Sequence, residues 1–150
     1  MKLLVSACLM GVNCKYNGGN NESAGLRRLI AALEARGEPV ELLPVCPEVL
    51  GGLPVPRVPA ELVNGRVVNR EGVSVDAQFR TGAEKALQMA REFQPDAVIL
   101  QSRSPSCGVK EVYDGSFSGR KMPGSGLFAA LAMRAGFRVV DIEDIMTMLP

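Results

Sequence analysis

Along the chain, short uninterrupted apolar runs alternate with longer stretches whose apolar residues recur at helical spacing. Leu3-Leu4-Val5 opens the series with the pattern of a buried strand. Leu26, Leu29, Ile30 and Leu33 then fall at i, i+3, i+4 and i+7, the stripe of an amphipathic helix, and Gly37 supplies its terminal glycine. Val40 to Val45 repeats the strand pattern and stops at Pro47. Asp76 is an N-cap candidate for a helix running to about Phe93, with Phe79, Ala83, Ala86, Leu87 and Ala90 on one face. Ala97 to Leu100 is a third strand. Ser125 is a cap candidate for a helix through Leu127, Phe128 and Leu131, Phe137 to Val140 is a fourth strand, and a short C-terminal helix follows.

The intervening segments carry turn chemistry. Gly11 to Asn21 is crowded with Gly and Asn, Gly51 to Pro59 is too rich in Gly and Pro for a regular element, and Ser102 to Gly108 is a loop. Asn64-Gly65 inside Glu61 to Val68 marks a β-hairpin, and Asp114-Gly115 marks another turn. Apolar strands alternating with helices predict the α/β class. The expected architecture is a Rossmann-like doubly wound sheet of about four parallel strands with flanking helices and a small β-hairpin insertion. No repeat, linker or low-complexity segment divides the chain, so residues 1–150 read as one domain of ordinary size.

Composition narrows the function more than the fold. A hydrophobic fraction of 47% with 22% charged residues suits a soluble domain with a core. The net charge of +1 leaves no strong footprint for nucleic acid or an anionic membrane, so a small-molecule partner fits better. No apolar stretch approaches the roughly 20 residues of a membrane span. The apolar run at the N-terminus is broken by Asn13, Cys14 and Lys15 before any small-residue cleavage site, which points to a cytoplasmic protein. The chain has no histidine. That removes Cys₂His₂ zinc sites, Cys–His nucleophile pairs and Ser-His-Asp triads, and leaves acid–base work to carboxylates, Lys, Cys, Tyr or water.

Three of the four cysteines follow strands: Cys8 after the first, Cys46 after the second, and Cys107 in the loop after the third. In a parallel sheet all the carboxyl ends meet one edge, where ligands of open α/β sheets bind, so the three thiols should converge. Such a set suits a soft metal or an iron–sulfur cluster, which tolerates dispersed ligands and, held by three, keeps one iron open. Zinc sites usually show closely spaced Cys pairs, absent here. The bland alternative is that the cysteines are small buried hydrophobes. Against it, each has Gly, Pro or Ser within two residues. Cys14, six residues past the strand end, reads as a loop thiol near the site, with a fourth-ligand role as the alternative.

Two flanking sequences add polar chemistry. Glu48, two residues after Cys46, could move a proton or orient water, or be a plain surface carboxylate at a helix start. Ser102, Ser104 and Ser106 surround Cys107 with hydroxyls that could hold an anion or a heterocycle edge, or merely close a local turn. Gly51-Gly52 and Gly124-Ser125-Gly126 are weak phosphate-loop look-alikes. Arg103, Lys110, Arg120 and Lys121 read as solvated.

The segments SACLMGVNCKYNGG, PVCPEVLGGLPVPRVPAE and LQSRSPSCG, in that order, resemble the bacterial family known as domain of unknown function 523, whose characterised members are thiouracil desulfurases. The likeness covers nearly the whole chain. It implies a [4Fe–4S] cluster held by Cys8, Cys46 and Cys107, and non-redox removal of sulfur from a thiolated pyrimidine base or nucleoside. It further implies Glu48 as the acid–base carboxylate, with Ser104 assisting and Ser102 and Ser106 near the substrate. The chain departs from the family pattern at Asn17, where relatives often carry Asp, and at Cys14, where relatives often lack cysteine. A cluster- or thiol-based binding or redox-sensing module without turnover is the rival reading, and a structural zinc protein is a third.

Overall fold

The structure, a computed structural model, describes residues 1–150. Each of the four apolar runs becomes a parallel strand: β1 (Lys2–Ser6), β2 (Glu41–Val45), β5 (Ala97–Leu100) and β8 (Val139–Asp141), in the order β2-β1-β5-β8. The remaining strands form two antiparallel hairpins, β3 (Ala60–Val63) with β4 (Arg66–Asn69), and β6 (Glu111–Tyr113) with β7 (Lys121–Pro123). The helices are α1 (Ala24–Ala35), α2 (Pro47–Leu50), α3 (Asp76–Phe93) and α4 (Leu127–Arg134), and 3₁₀ turns cover Ala7–Met10 and Ile142–Met148.

Alternation along the central strands divides the core between the two faces of the sheet. Leu3 and Val5 of β1 with Ala97 and Ile99 of β5 pack against Leu26, Leu29 and Leu33 of α1. Leu4, Val98 and Leu100 point the other way, against Ala83, Ala86 and Ala90 of α3 and Phe128 of α4. Helices on both faces of a parallel sheet make the doubly wound class expected from the alternation.

Three local expectations change. Asp76 does not cap α3 but is its first residue, because its carboxylate accepts the Val67 N–H at 3.0 Å and pairs with Arg80 at 2.7 Å. Ser125 does not cap α4 either: Gly126 stands at the cap, and the Ser125 hydroxyl donates to the Val109 carbonyl at 2.9 Å. The C-terminal helix is a 3₁₀ segment, capped by Asp141, whose carboxylate accepts the Glu143 N–H at 2.8 Å.

Of the glycines that resemble phosphate loops, Gly51 and Gly126 serve close packing. A Cβ on Gly51 would overlap the Gln78 carbonyl, and one on Gly82 would overlap the Pro47 carbonyl, so two glycines let the α2 and α3 backbones touch. A Cβ on Gly126 would lie 2.6 Å from the Ser106 carbonyl oxygen, which seats the Ser102–Gly108 loop on the start of α4. Both contacts bear on the site, since α2 carries Glu48 and the loop carries Cys107.

Candidate active site

In a β2-β1-β5-β8 sheet the chain winds outward from β1 in both directions, so the crevice beyond the ends of β1 and β5 is the topological switch point where such folds bind ligands. Cys8 lies in the 3₁₀ turn directly after β1, Cys46 directly after β2, and Cys107 in the loop after β5. Cys8, Cys46, Cys107, Cys14, Glu48, Ser102, Ser104 and Ser106 all line one cavity of about 810 Å³ at this edge.

All four thiols are free. Cys14 is more central than its distance from the strand suggests: it is buried, and its carbonyl accepts from the Cys46 thiol at 3.8 Å. The bond from Cys14 holds the Cys8 thiol below its ordinary range against the cost of burial. Cys14 is drawn down by the bond it accepts from Cys46, but its bond to Cys8 and burial leave it raised. Cys46 is driven strongly upward by its bond to Cys14 and by burial. Burial pushes the Cys107 thiol up to about 12, against hydrogen bonds from Ser6 and Ser106. Asn21 Nδ2 lies 3.7 Å from Cys8 Sγ, and the Asn21 N–H donates to the Cys8 carbonyl at 3.0 Å, folding the Gly11–Asn21 loop back over the thiols.

Beside the thiols runs a polar chain. The Glu48 carboxylate accepts the Ser106 hydroxyl at 2.7 Å through Oε2. Its other oxygen takes Arg57 Nε at 3.0 Å and Nη2 at 3.0 Å, a fork-to-carboxylate grip. Ser104 Oγ lies 3.3 Å from Ser106 Oγ and accepts the Cys107 N–H at 2.7 Å. Arg57 Nη2 also donates to the Cys14 carbonyl at 2.8 Å, joining the carboxylate to the thiol loop. Ser102 differs from the other two serines: it is buried, and its one proton goes to Asp141 at 2.6 Å.

Arg57, Asn21 and Asp141 are therefore neighbours that sequence reading missed, since each sits in a segment without periodicity or at a strand end. Arg103 is not a solvated cation. It has a φ of 67°, pairs with Glu111 at 3.0 Å and Glu143 at 2.6 Å, and ties the serine loop to the C-terminal 3₁₀ segment.

Fold and site together define a doubly wound α/β protein with a thiol-lined cleft at its switch point and the Glu48 carboxylate on the same cavity. A family model described as 2-thiouracil desulfurase matches residues 3–144, and the chain belongs to that family. It is 39% identical to YbbK of Bacillus subtilis (strain 168), a protein described as uncharacterized, over 98% of this chain and 99% of that one. Among solved structures it is similar to the [4Fe-4S]-dependent thiouracil desulfidase TudS (DUF523Vcz), with 41% identity, a TM-score of 0.84, and coverage of 99% of this chain and 94% of that chain. No helix is long and apolar enough to cross a membrane.

Proposed function

We propose that this chain is an iron–sulfur-dependent desulfurase that converts a thiolated pyrimidine, as free base or nucleoside, to its oxo form with release of sulfide. Its 150 residues would act as one cytoplasmic domain. The observation that carries the reading is the meeting of three strand-end thiols with the Arg57–Glu48–Ser106–Ser104 chain on one cavity.

The donor set fits a cluster. Four thiols line the crevice, the soft donor type that an iron–sulfur cluster takes. Cys8, Cys46 and Cys107 would hold a [4Fe–4S] cluster, whose open iron supplies the thiophilic Lewis acid that carbon–sulfur hydrolysis requires.

The chain's own residues handle the rest. Overall, water delivers its oxygen to carbon, the carbon–sulfur bond breaks, and both water protons leave with sulfur as hydrogen sulfide, with no change of oxidation state. Glu48 takes a proton from the water. Ser106 and Ser104 extend its reach along the hydroxyl pair and hold the substrate edge. Arg57 keeps the carboxylate aimed into the cavity.

The test is sulfide release from 2-thiouracil and 4-thiouracil by protein reconstituted without oxygen. Cys46→Ser should lose the iron–sulfur absorbance. Glu48→Gln should keep it while kcat falls by at least about 100-fold, the scale of a positioned acid–base group. A fully iron-loaded wild type that releases no sulfide would instead support a binding or sensing module.

A further inference from the structure

The cavity that holds the thiols and the Glu48 chain is also lined by aromatic rings. Both tyrosines of the chain, Tyr16 and Tyr113, and two of its five phenylalanines, Phe79 and Phe117, line it. Phe117 is set apart by how it is held. It lies in the loop joining β6 to β7 and has a φ of 56°, a left-handed conformation that is unfavourable for a bulky side chain. Glu61 of β3 compensates, because its Oε1 accepts the N–H of Phe117 at 3.1 Å and that of Gly115 at 3.0 Å. Gly115, with a φ of 90°, lets the loop tip press on β3: a Cβ there would stand 2.6 Å from the Leu62 carbonyl oxygen. The Arg70 guanidinium lies over the Phe117 ring, 5.9 Å from its centroid. A half-buried aromatic ring is thus fixed at the wall of a cavity by a strained backbone, a carboxylate clasp and a cation.

We propose that Phe117 is a specificity-determining residue: the substrate's planar heterocycle stacks on its ring, and Glu61 and Arg70 are positioning residues for that ring. The inference rests on the desulfurase reading and adds to it a recognition element that ignores the sulfur. Stacking is selective for flat, conjugated rings and blind to whether the exocyclic atom is sulfur or oxygen. The oxo product should therefore bind through the same contact, without help from any iron.

The experiment uses the iron-loaded enzyme. KM and kcat are measured with 2-thiouracil, and binding of uracil and of non-planar 5,6-dihydrouracil is measured by calorimetry, for wild type, Phe117→Leu, Phe117→Tyr and Glu61→Gln. Phe117→Leu should raise KM about tenfold with kcat changed by less than about twofold, and should weaken uracil binding about tenfold, within the range of one base–aromatic stack. It should also abolish the preference for uracil over dihydrouracil. Phe117→Tyr, which keeps a ring, should behave as wild type. Glu61→Gln should raise KM by a smaller factor, since the ring remains but its clasp is weaker. Equal uracil affinity in wild type and Phe117→Leu overturns the clamp whatever the turnover shows. So does a Phe117→Tyr variant as impaired as Phe117→Leu, or a loss confined to kcat. Failure of the desulfurase reading looks different: no sulfide from any variant, with the uracil comparison still deciding the stacking.

Discussion

Removing the Arg57 charge should destabilise the protein chiefly by stranding Glu48. The two side chains are 7% and 14% exposed and meet at 3.0 Å, so neither charge is well solvated. At that distance, with an effective dielectric constant of about 20, their gross attraction is about 5 kcal/mol, most of it offset by the cost of desolvation. Breaking a buried pair from one side is costlier than the net worth of the pair, roughly 3–5 kcal/mol, because the remaining charge is left uncompensated. Glu48 borders the cavity and keeps its bond from Ser106, which places Arg57→Gln at the low end, about 3 kcal/mol. For a chain of this size that corresponds to a fall in Tm of roughly 6–12 °C. The assay is urea unfolding of reduced protein followed by circular dichroism, with Arg57→Gln, Glu48→Gln and the double variant closing a cycle. The double variant carries no stranded charge, so it should be more stable than Arg57→Gln alone, with a coupling energy of at least about 1.5 kcal/mol. A loss below about 0.5 kcal/mol for Arg57→Gln, or strictly additive effects, would refute the buried pair.

Three further outcomes are expected. Cys14→Ser should retain the iron–sulfur absorbance and iron content that Cys46→Ser loses; equal loss in both would show a four-cysteine site with no open iron. Gly82→Ala should cost at least about 2 kcal/mol in urea unfolding despite the better helix propensity of alanine, because the new methyl meets the Pro47 carbonyl and pushes α2 away from α3. Asp76→Asn should cost about 1 kcal/mol at neutral pH, as befits a pair with half-exposed Arg80. Burial raises the Asp76 pKa, but the bonds from Arg80 and the Val67 N–H outweigh it and leave it below 3.8. The stabilisation is thus complete above that value and fades as pH falls through the lower folded value, so wild type and variant should converge in acid.

How far the sequence reveals the fold depends on where burial is two-sided. The four sheet strands are legible because both of their faces are covered, as in Leu3-Leu4-Val5 and Ala97–Leu100, and such runs stand out without alternation. The β3–β4 hairpin is legible from Asn64-Gly65, which takes φ values of 50° and 80°. The β6–β7 hairpin is not, because its strands have three residues each and Lys121–Pro123 is exposed throughout, so no apolar pattern marks it. Asp76 and Ser125 have the right chemistry for caps, but tertiary partners, Val67 and Val109, claim their oxygens instead.

The site divides along the same line. Strand-end logic brings Cys8, Cys46 and Cys107 to one edge because topology alone moves them there. What topology does not encode is the side-chain circuit between them. Arg57 lies in a proline-rich segment with no element of its own, yet its guanidinium reaches Glu48 and the Cys14 carbonyl. Cys14 looks peripheral by count along the chain, but the loop doubles back, buries it on the cavity wall and sets its carbonyl against the Cys46 thiol. Ser102 and Arg103 show why the serine loop is rigid: Asp141 and Glu143, about 40 residues downstream, hold both. These contacts share a cause. Irregular backbone cannot satisfy itself by ladders, so its position is fixed by charged and hydroxyl side chains from distant segments. Those are the partners that periodicity cannot announce. The residues that aim the chemistry are therefore harder to read from the sequence than the residues that would perform it.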